Sequence, residues 1–561
     1  MRLSRYLIWT VMLVLLLSSA VGFAQSREVA DLVLHNATIY TMDAENPVAS
    51  AIAIKGDRIL AVGTRSDVAK LTGKGTEVVN LKQATVLPGL IDSHVHFQSI
   101  GTRELLVDCY WKPKAEILDA IAVAVAGAAS VDEWIRGAGF NEAVWDPPIS
   151  PNKDDLDPVS PDNPVYITRY CGHQAWVNSR ALEIAGITKD TPDPDQGTIV
   201  READGEPTGL LMGTARGLVS QHIPSEWTPE QLKRATILAD ERLASVGLTS
   251  VHDAGSGLST INLMKELYEE GLIKVRVYQM ARYRDVMTHF DEPKIGLFGD
   301  RYTIRSVKFG ADGALGARSA AMLEPYTDRH DYSGLLYVEE DELAGQISDL
   351  LAIGFQSRVH AIGDRGNRVT LNAFEKALQQ VPVNDHRLAI EHAQILHLDD
   401  IPRFAELGVV ASMQPLHATE DMLFAEDRVG PERILGGYAW RSLLDLGVVI
   451  AGGSDAPVSP PNPIWGIHAA VTRQDRNNNP PGGWYPEQSV TREEALKMFT
   501  LDAAYAAFEE DIKGSLEQGK LADLVVIDRD IMDGSMVAAD DIWKAEVLMT
   551  MIGGEFVYEK Q

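Results

Sequence analysis

"PGLIDSHVHF", residues 88–97, is an apolar run that ends in two histidines, His94 and His96. A short apolar run bounded by turn residues is typical of a buried strand. Side chains two positions apart lie on the same side of a strand, so both imidazoles are expected to point the same way. Such a pair is more often hydrogen-bonded than metal-bound, and its role therefore depends on what the rest of the chain supplies.

Downstream of this stretch, short apolar runs alternate with amphipathic segments such as "NRVTLNAFEKALQQV". Strand–helix alternation of this kind indicates a parallel sheet. Counting the first run, the predicted strands are eight, the number that closes a (β/α)₈ barrel. They lie at 90–97, 248–255, 275–283, 305–313, 355–364, 387–395, 409–417 and 448–457. The sequence therefore predicts an α/β fold with a TIM barrel over residues 88–512.

Two further regions lack the strand–helix alternation of the predicted barrel. The chain ends carry short alternating apolar segments split by turn residues, which predicts one small β-sandwich domain built from 28–87 and 513–561. Residues 101–245 contain Pro/Asp-rich stretches and several tryptophans, and we interpret them as an insertion after the first barrel strand. This insertion is either a structural subdomain or a lid whose aromatic side chains line a substrate pocket.

Composition excludes some classes of function. Apolar residues make up 45% and charged residues 23% of the chain, as in ordinary globular proteins. The formal net charge is −29 and no Lys/Arg-rich run is present. Nucleic-acid binding is therefore not expected as the main activity.

The N-terminus has the pattern of a secretory signal peptide. "MRLSR" is basic, an apolar run follows, and "GFA" places small residues before a cleavage site at Ala24–Gln25. We predict that residues 1–24 are removed, that the protein is periplasmic or secreted, and that no stable membrane insertion remains; the alternative is an uncleaved anchor. The two cysteines, Cys109 and Cys171, could pair in that compartment but are too few for a thiolate metal site.

Chemically capable side chains recur at the ends of the predicted barrel strands, where barrel active sites lie. Each is a weak signal alone, but their chain order matches the order of barrel closure. The second, third and seventh strands offer less, namely His252, Gln279, Gln414 and His417. The side chains that together indicate a metal site are His94, His96, Lys308, His360, His392 and Asp455.

The motifs carry a resemblance to a known family. "PGLIDSHVHF", "VKFGADGALGARSA", "VHAIGDRGN", "IEHAQ", "SMQPLH" and "GSDAPV" resemble the amidohydrolase superfamily, specifically its YtcJ-like (amidohydrolase-3) branch. The insertion and the terminal β-segments resemble the same branch, so that the similarity covers essentially all of the mature chain. The branch includes N-substituted formamide deformylases, which implies amide hydrolysis as a class of reaction without fixing a substrate. A homodimer is also suggested by the resemblance.

The resemblance implies a role for each strand-end residue. His94 and His96 correspond to ligands of a buried metal ion, and His360 and His392 to ligands of an outer one. Lys308 corresponds to a lysine that CO₂ converts to a carbamate bridging both ions. Without that modification its ammonium group would repel a cation, and a single ion would be expected instead. Two Zn²⁺ ions are the favoured occupants, with Mn²⁺ and Fe²⁺ as alternatives.

The expected reaction is hydrolysis of an amide-type C–N bond (N-acyl, N-formyl or cyclic amide) by metal-activated water. Asp455 would take the proton of that water and pass it to the leaving amine. The same site could instead cleave an ester, lactone or carbamate, and a non-catalytic binding barrel is the third hypothesis. The candidate substrate contacts are His173, His417 and Trp176, and Asp312 and Asp364 are expected to orient ligands rather than react.

Overall fold

Parallel strands that curve into a nearly closed barrel form the centre of the fold in the computed structural model, which describes residues 28–110, 112–142, 145–169, 173–195 and 197–561. The predicted signal segment 1–24 and Cys171 lie outside the described residues, so the pairing of Cys171 with Cys109 stays open as the sequence left it. Within the described ranges, no helix combines the length and apolar character needed to cross a membrane.

Eight parallel barrel strands within the described residues follow one another in chain order, each paired with the next. A parallel bridge between Val95 and Ala456 brings the last strand back to the first. The prediction of a (β/α)₈ barrel is thereby confirmed. The strands are Leu90–Val95, Leu248–Ser256, Arg276–Ala281, Tyr302–Gly310, Gln356–Ala361, Ala389–His392, Val410–Met413 and Ile450–Gly452.

Helices follow the barrel strands, and their apolar faces pack onto the outside of the sheet in one continuous core. Glu340–Ala352 and Asp364–Gln380, for example, pack against each other and against the fifth barrel strand. The remaining helices of this layer are Phe97–Glu104, Pro229–Ser245, Leu258–Glu269, Tyr283–His289, Leu297–Asp300, Ile401–Leu407, Pro415–Asp421, Ala425–Arg433, Trp440–Leu444, Pro463–Thr472, Arg492–Met498 and Leu501–Ala506. The short strand Lys294–Gly296 pairs with the fourth barrel strand.

The two chain ends form one hydrogen-bonded sheet. The N-terminal strand Thr85–Pro88 pairs antiparallel with the C-terminal strand Leu524–Ile527, which joins the two halves. A short helix, Arg65–Ala69, packs beside this sheet. The other strands of the sheet are Leu32–Tyr40, Val48–Lys55, Arg58–Gly63, Glu77–Asn80, Val547–Ile552 and Glu555–Glu559.

A separate mixed sheet with its own core lies between the first and second barrel strands. Its aromatic side chains Phe140, Trp145 and Trp176 pack on one another, with ring centroids about 6 Å apart. Its strands are Val107–Asp108, Ile135–Phe140, Val165–Arg169, Gln174–Val177, Gly197–Arg201 and Pro207–Gly213. Its helices are Lys114–Ala126, Lys153–Leu156, Ser179–Ala185 and Gly217–Ser220.

Helix Pro229–Ser245 falls inside the segment interpreted as the insertion, yet it packs against the barrel. It begins with a capping box, in which Thr228 and Gln231 satisfy each other's backbone N–H groups. At its closest approach to helix Phe97–Glu104, a side chain at Gly101 would lie 1.7 Å from the carbonyl oxygen of Ala235. Only glycine permits this contact, so Gly101 fixes how the segment after the first barrel strand leaves the barrel.

A buried ion pair joins the barrel to the terminal sheet. Arg276, on the third barrel strand, donates from Nε and Nη2 to the two carboxylate oxygens of Asp523 at 2.7 and 3.0 Å. The arginine is 2% exposed and the aspartate 4%. Since the pair is bidentate and excluded from water, it fixes the position of one domain on the other.

We expect Arg276→Met to lower the free energy of unfolding by about 3–5 kcal/mol, because it leaves the Asp523 carboxylate buried without its partner. Thermal or urea unfolding measures the effect. The double variant Arg276→Met/Asp523→Leu removes the stranded charge and should recover most of the loss. Equal stability of the single variant and the wild type would contradict the prediction.

Candidate metal centre

The first barrel strand and the loop after the eighth face each other at the mouth of the barrel. His94 is fully buried and His96, the residue after the strand's end, is partly exposed. The Nε2 atoms of His94 and His96 lie 3.5 and 3.2 Å from Oδ1 of Asp455. Two side chains one residue apart at the end of this strand therefore converge on one carboxylate oxygen, as their i, i+2 spacing predicts.

The backbone holds Asp455 in this place. Its N–H donates to the carbonyl of His94 at 2.8 Å, and the N–H of His96 donates to the carbonyl of Ala456 at 2.8 Å. Asp455 has φ = 58°, in the left-handed region that non-glycine residues seldom adopt. The buried Asp92 adds a clamp, because its Oδ1 accepts from the N–H groups of both His94 and Ser454 at 3.0 Å. Strain of this kind persists where surrounding contacts enforce it, often at functional sites.

Three further barrel strands deliver one cluster member each. Lys308, on the fourth strand, places Nζ 3.0 Å from Nε2 of His94. The rings of His360 and His392, from the fifth and sixth strands, lie 4.5 Å apart between centroids, and His392 is 4.9 Å from His94. All six side chains identified from the sequence as metal ligands are thus brought to one end of the barrel.

Burial sets the protonation of this cluster. It lowers the pKa of His360 to about 4 and, with the charge of Lys308, the pKa of His94 below its usual value. Burial also lowers the pKa of Lys308 to about 8, which gives its amine a neutral fraction near neutral pH. Burial alone would raise the pKa of Asp455, but the close approach of His96 and the other nearby histidines lowers it strongly. Asp455 in turn raises the pKa of His96. The cluster therefore pairs an ionised carboxylate with His96, whereas burial favours the neutral form of His94 and His360.

These donors fit a divalent cation. Ligand atoms of His94, His392 and Asp455 all lie within 4.8 Å of one another. Among the described residues, Asp455 Oδ1 and His417 Nε2 are buried polar atoms without a well-aligned hydrogen-bond partner. Neutral imidazole nitrogens and a carboxylate are ordinary ligands of Zn²⁺ and similar ions. An unsatisfied buried oxygen facing imidazole nitrogens is what a bound cation would satisfy.

Side chains behind the cluster hold the histidine rings. Arg358 and Glu391 were not identified from the sequence as site residues, and Gln414 was named only as a weaker strand-end candidate. Nδ1 of His94 contacts Oε2 of Glu391, whose other oxygen accepts from Arg358. Nδ1 of His392 contacts Oε1 of Gln414 at 2.7 Å. The available signal was one formal charge inside each of two buried strands, Arg358 in Gln356–Ala361 and Glu391 in Ala389–His392.

The three candidate substrate contacts lie in different surroundings in the structure. His417 lies at the cluster, with Nε2 3.9 Å from Asp455 Oδ2 and its ring stacked on His392 at 6.0 Å. His173 is exposed in the insertion, where its carbonyl accepts from Gly213, and no contact between its ring and the cluster is found among the described residues. The expectation for Trp176 is corrected: its side chain is fully buried in the core of the insertion and its indole N–H donates to Asn152.

Asp312 and Asp364 lie behind the outer histidine, where they bind the backbone. Asp312 accepts from the N–H groups of Ala321, Ile362 and Gly363 at 2.8–2.9 Å and has Oδ1 3.7 Å from Nε2 of His360. Asp364 accepts from the N–H of Leu323 at 2.8 Å. Both carboxylates therefore shape the loops around His360.

The fold and the site define a class: a (β/α)₈ barrel with a histidine, lysine and aspartate cluster at its C-terminal mouth that suits a divalent cation. The chain belongs to the amidohydrolase family, whose model matches residues 77–558. The family resemblance read from the motifs is thereby confirmed, and the protein is a metal-dependent hydrolase of this superfamily.

Individual relatives match over nearly the whole chain. The putative amidohydrolase YtcJ of Bacillus subtilis is 31% identical, over 94% of this chain and 99% of its own length. The N-substituted formamide deformylase of Arthrobacter pascens is 28% identical, over 95% and 99%. Protein LONG AFTER FAR-RED 3 of Arabidopsis thaliana is 34% identical, over 94% and 92%.

A solved structure agrees with the assignment. An uncharacterized metal-dependent hydrolase from Pyrococcus furiosus superimposes with a TM-score of 0.68 at 30% identity. The match covers 90% of this chain and 100% of that one. The barrel, the terminal sheet and most of the insertion therefore belong to one shared architecture.

Proposed function

We propose that the protein hydrolyses an amide-type C–N bond of a small molecule, an N-acyl, N-formyl or cyclic amide, using water activated at the barrel mouth. The observation that carries the proposal is the buried carboxylate of Asp455, whose Oδ1 faces the Nε2 atoms of His94 and His96. The similarity to the N-substituted formamide deformylase supports the choice of bond.

His94 and His96 would hold a buried ion together with Asp455, and His360 and His392 would hold an outer one. Such ions, favoured here as two Zn²⁺ with Mn²⁺ or Fe²⁺ as alternatives, lower the pKa of bound water toward about 7 and polarise a carbonyl when present. Lys308 would join the two positions as a carbamate. Its neutral amine attacks CO₂, a C–N bond forms and a proton leaves, which turns a repelling cation into an anionic ligand with two oxygens.

Asp455 would move the proton of the reaction. It accepts the proton of the attacking water and returns it to the nitrogen of the departing amine as the C–N bond breaks. Nε2 of His417 is buried near Asp455 Oδ2 and lacks a hydrogen-bond partner among the described residues. It can therefore donate to the carbonyl oxygen of a substrate as negative charge develops there.

A matched panel tests the choice of bond. N-formyl and N-acyl amines and a cyclic amide are compared with the corresponding formate and acyl esters and a lactone under equal conditions. The proposal expects turnover of at least one amide. Turnover of esters alone would replace it with the alternative reaction at the same site, and no turnover of any compound by metal-loaded protein would favour a binding barrel.

We expect removal of the cation to abolish hydrolysis, because no other group at the cluster could activate water as strongly. Dialysis against a chelator followed by measurement of residual activity gives the result, and added Zn²⁺ or Mn²⁺ should restore it. Circular dichroism before and after dialysis serves as the control for unfolding. Full activity in protein shown to be metal-free would contradict the prediction.

Export is a further part of the proposal, supported by the basic start, the apolar run and the small residues before Gln25. We expect expression in a bacterium with an intact secretion pathway to yield a periplasmic or secreted chain that begins at Gln25. Mass spectrometry of the purified protein measures its mass and first residue. A chain that retains residues 1–24 in the membrane fraction would indicate an uncleaved anchor instead.

A further inference from the structure

We propose that Glu391 is a positioning residue: it holds His94 with Nε2 free to bind a cation, and it makes the cation position at His94 the tighter of the two. The inference rests on the proposed function, since it concerns the cation that this function needs. Glu391 contacts neither the substrate nor the reacting water and acts only through the His94 ring.

The contact between the two side chains fixes the tautomer of His94. Nδ1 of His94 and Oε2 of Glu391 are in hydrogen-bond contact, and both side chains are fully enclosed. An ionised carboxylate can only accept, so Nδ1 carries the hydrogen and Nε2 carries the lone pair. Nε2 is the atom that faces Nζ of Lys308 at 3.0 Å and Oδ1 of Asp455 at 3.5 Å. The ring therefore presents its free lone pair to the cluster.

Arg358 pairs with Glu391 in the layer beneath the cluster, and both side chains are fully buried. A buried carboxylate that is hydrogen-bonded to a guanidinium group has its charge matched, so Glu391 can serve as an acceptor for His94. Arg358 donates from Nε to Oε1 of Glu391, from Nη1 to Nδ1 of His252 at 2.8 Å, and from Nη2 to the carbonyl of Ser93 at 3.1 Å. These contacts tie together the first, second, fifth and sixth barrel strands beneath the cluster.

The partner of His392 differs in charge. Its Nδ1 is held by the neutral side-chain oxygen of Gln414 at 2.7 Å. A carboxylate behind a histidine ligand raises the basicity of the ring and increases its affinity for a metal ion. The same geometry with a neutral amide gives orientation but less basicity. The buried position at His94 should therefore fill first, and the position at His392 should fill second.

A metal titration of the full-length protein tests this order. Metal-free wild type is titrated with Zn²⁺ against a chromophoric chelator and is expected to show a tight and a weaker class of sites. Glu391→Gln keeps a hydrogen-bond acceptor but removes the charge, so the affinity of the tight class should fall about 10–100-fold, while the weaker class changes little. The increase in melting temperature on adding Zn²⁺ should shrink accordingly.

Asp523→Asn is the matched control for the cost of breaking a buried pair. It leaves Arg276 without its carboxylate, just as Glu391→Gln leaves Arg358, but Asp523 directly precedes the terminal-sheet strand Leu524–Ile527, away from the cluster. We expect a lower melting temperature and wild-type zinc affinity. If Glu391→Gln does not fold, Glu391→Asp keeps the charge and withdraws the carboxylate from His94, and should also weaken the tight class.

Two results would overturn the inference: wild-type zinc affinity in the folded Glu391 variants, or an equal loss of affinity in Asp523→Asn. A failure of the proposed function has a different signature. In that case the wild type itself would bind no divalent cation, or would bind one and hydrolyse nothing in the panel.

Discussion

Asp455→Asn is expected to lower kcat for amide hydrolysis by about 10²–10⁴-fold, the range found when a general base is removed. Asparagine keeps the size of the side chain and an oxygen that can face His94 and His96, but it has no carboxylate to accept the proton of water. Metal content should therefore remain at one ion or more per chain. Steady-state kinetics combined with metal analysis of the same sample measures both quantities.

The control for Asp455→Asn is another buried carboxylate. Asp502, on helix Leu501–Ala506, is paired with Lys497 at 3.3 Å and lies outside the cluster. Asp502→Asn should leave kcat close to the wild-type value, since the Asp502 carboxylate pairs with Lys497 and not with a cluster residue. Unchanged kcat in Asp455→Asn would refute its role as the base.

Lys308→Ala is expected to reduce metal content from about two ions per chain to one or none, with a matching loss of activity. Lys308 lies 3.0 Å from Nε2 of His94, and as a carbamate it would supply the oxygens that join both positions. Formate or acetate can enter the space left by the side chain and should restore part of the metal content. Elemental analysis with and without added carboxylate gives the measurement.

A buried lysine elsewhere separates this effect from general damage. Lys513 is buried and donates to Ser250 at 2.6 Å, near the start of the second barrel strand. Lys513→Ala should lower stability, because it removes the cation that pairs with the buried Glu509, but should not change metal content. Two ions bound in Lys308→Ala would remove the bridging role.

The barrel strands were predictable because each is an apolar run between turn residues, and burial of such runs dominates folding. Their ends were less predictable. The fourth predicted strand covers 305–313, whereas the observed strand is Tyr302–Gly310. Strand ends are set by pairing with neighbours, here with Arg276–Ala281 on one side and Gln356–Ala361 on the other. The register of strand pairing depends on contacts with neighbouring strands, so it cannot be predicted from a local stretch of sequence.

Trp176 illustrates a second limit. An aromatic residue in a Pro/Asp-rich segment can line a pocket or fill a core, and its identity favours neither. The structure places it among Phe140 and Trp145, where its large apolar surface stabilises the insertion and its N–H is satisfied by a backbone carbonyl. The surrounding residues come from distant parts of the chain, so local sequence could not decide between the two roles.

What the sequence by itself determined was which candidate ligands reach the barrel mouth and their order around the barrel, since residue type and position at a strand end suffice for that. Only the tertiary structure decided how the rings are held. Glu391 and His392 are adjacent, and strand alternation would point them to opposite faces. His392 instead has φ = 75°, so that it turns into the cluster while Glu391 reaches His94 from below. The positive φ of His392 and the contact of Glu391 with His94 on another strand depend on the packed fold. The tertiary structure was therefore needed to show how the candidate ligands are held.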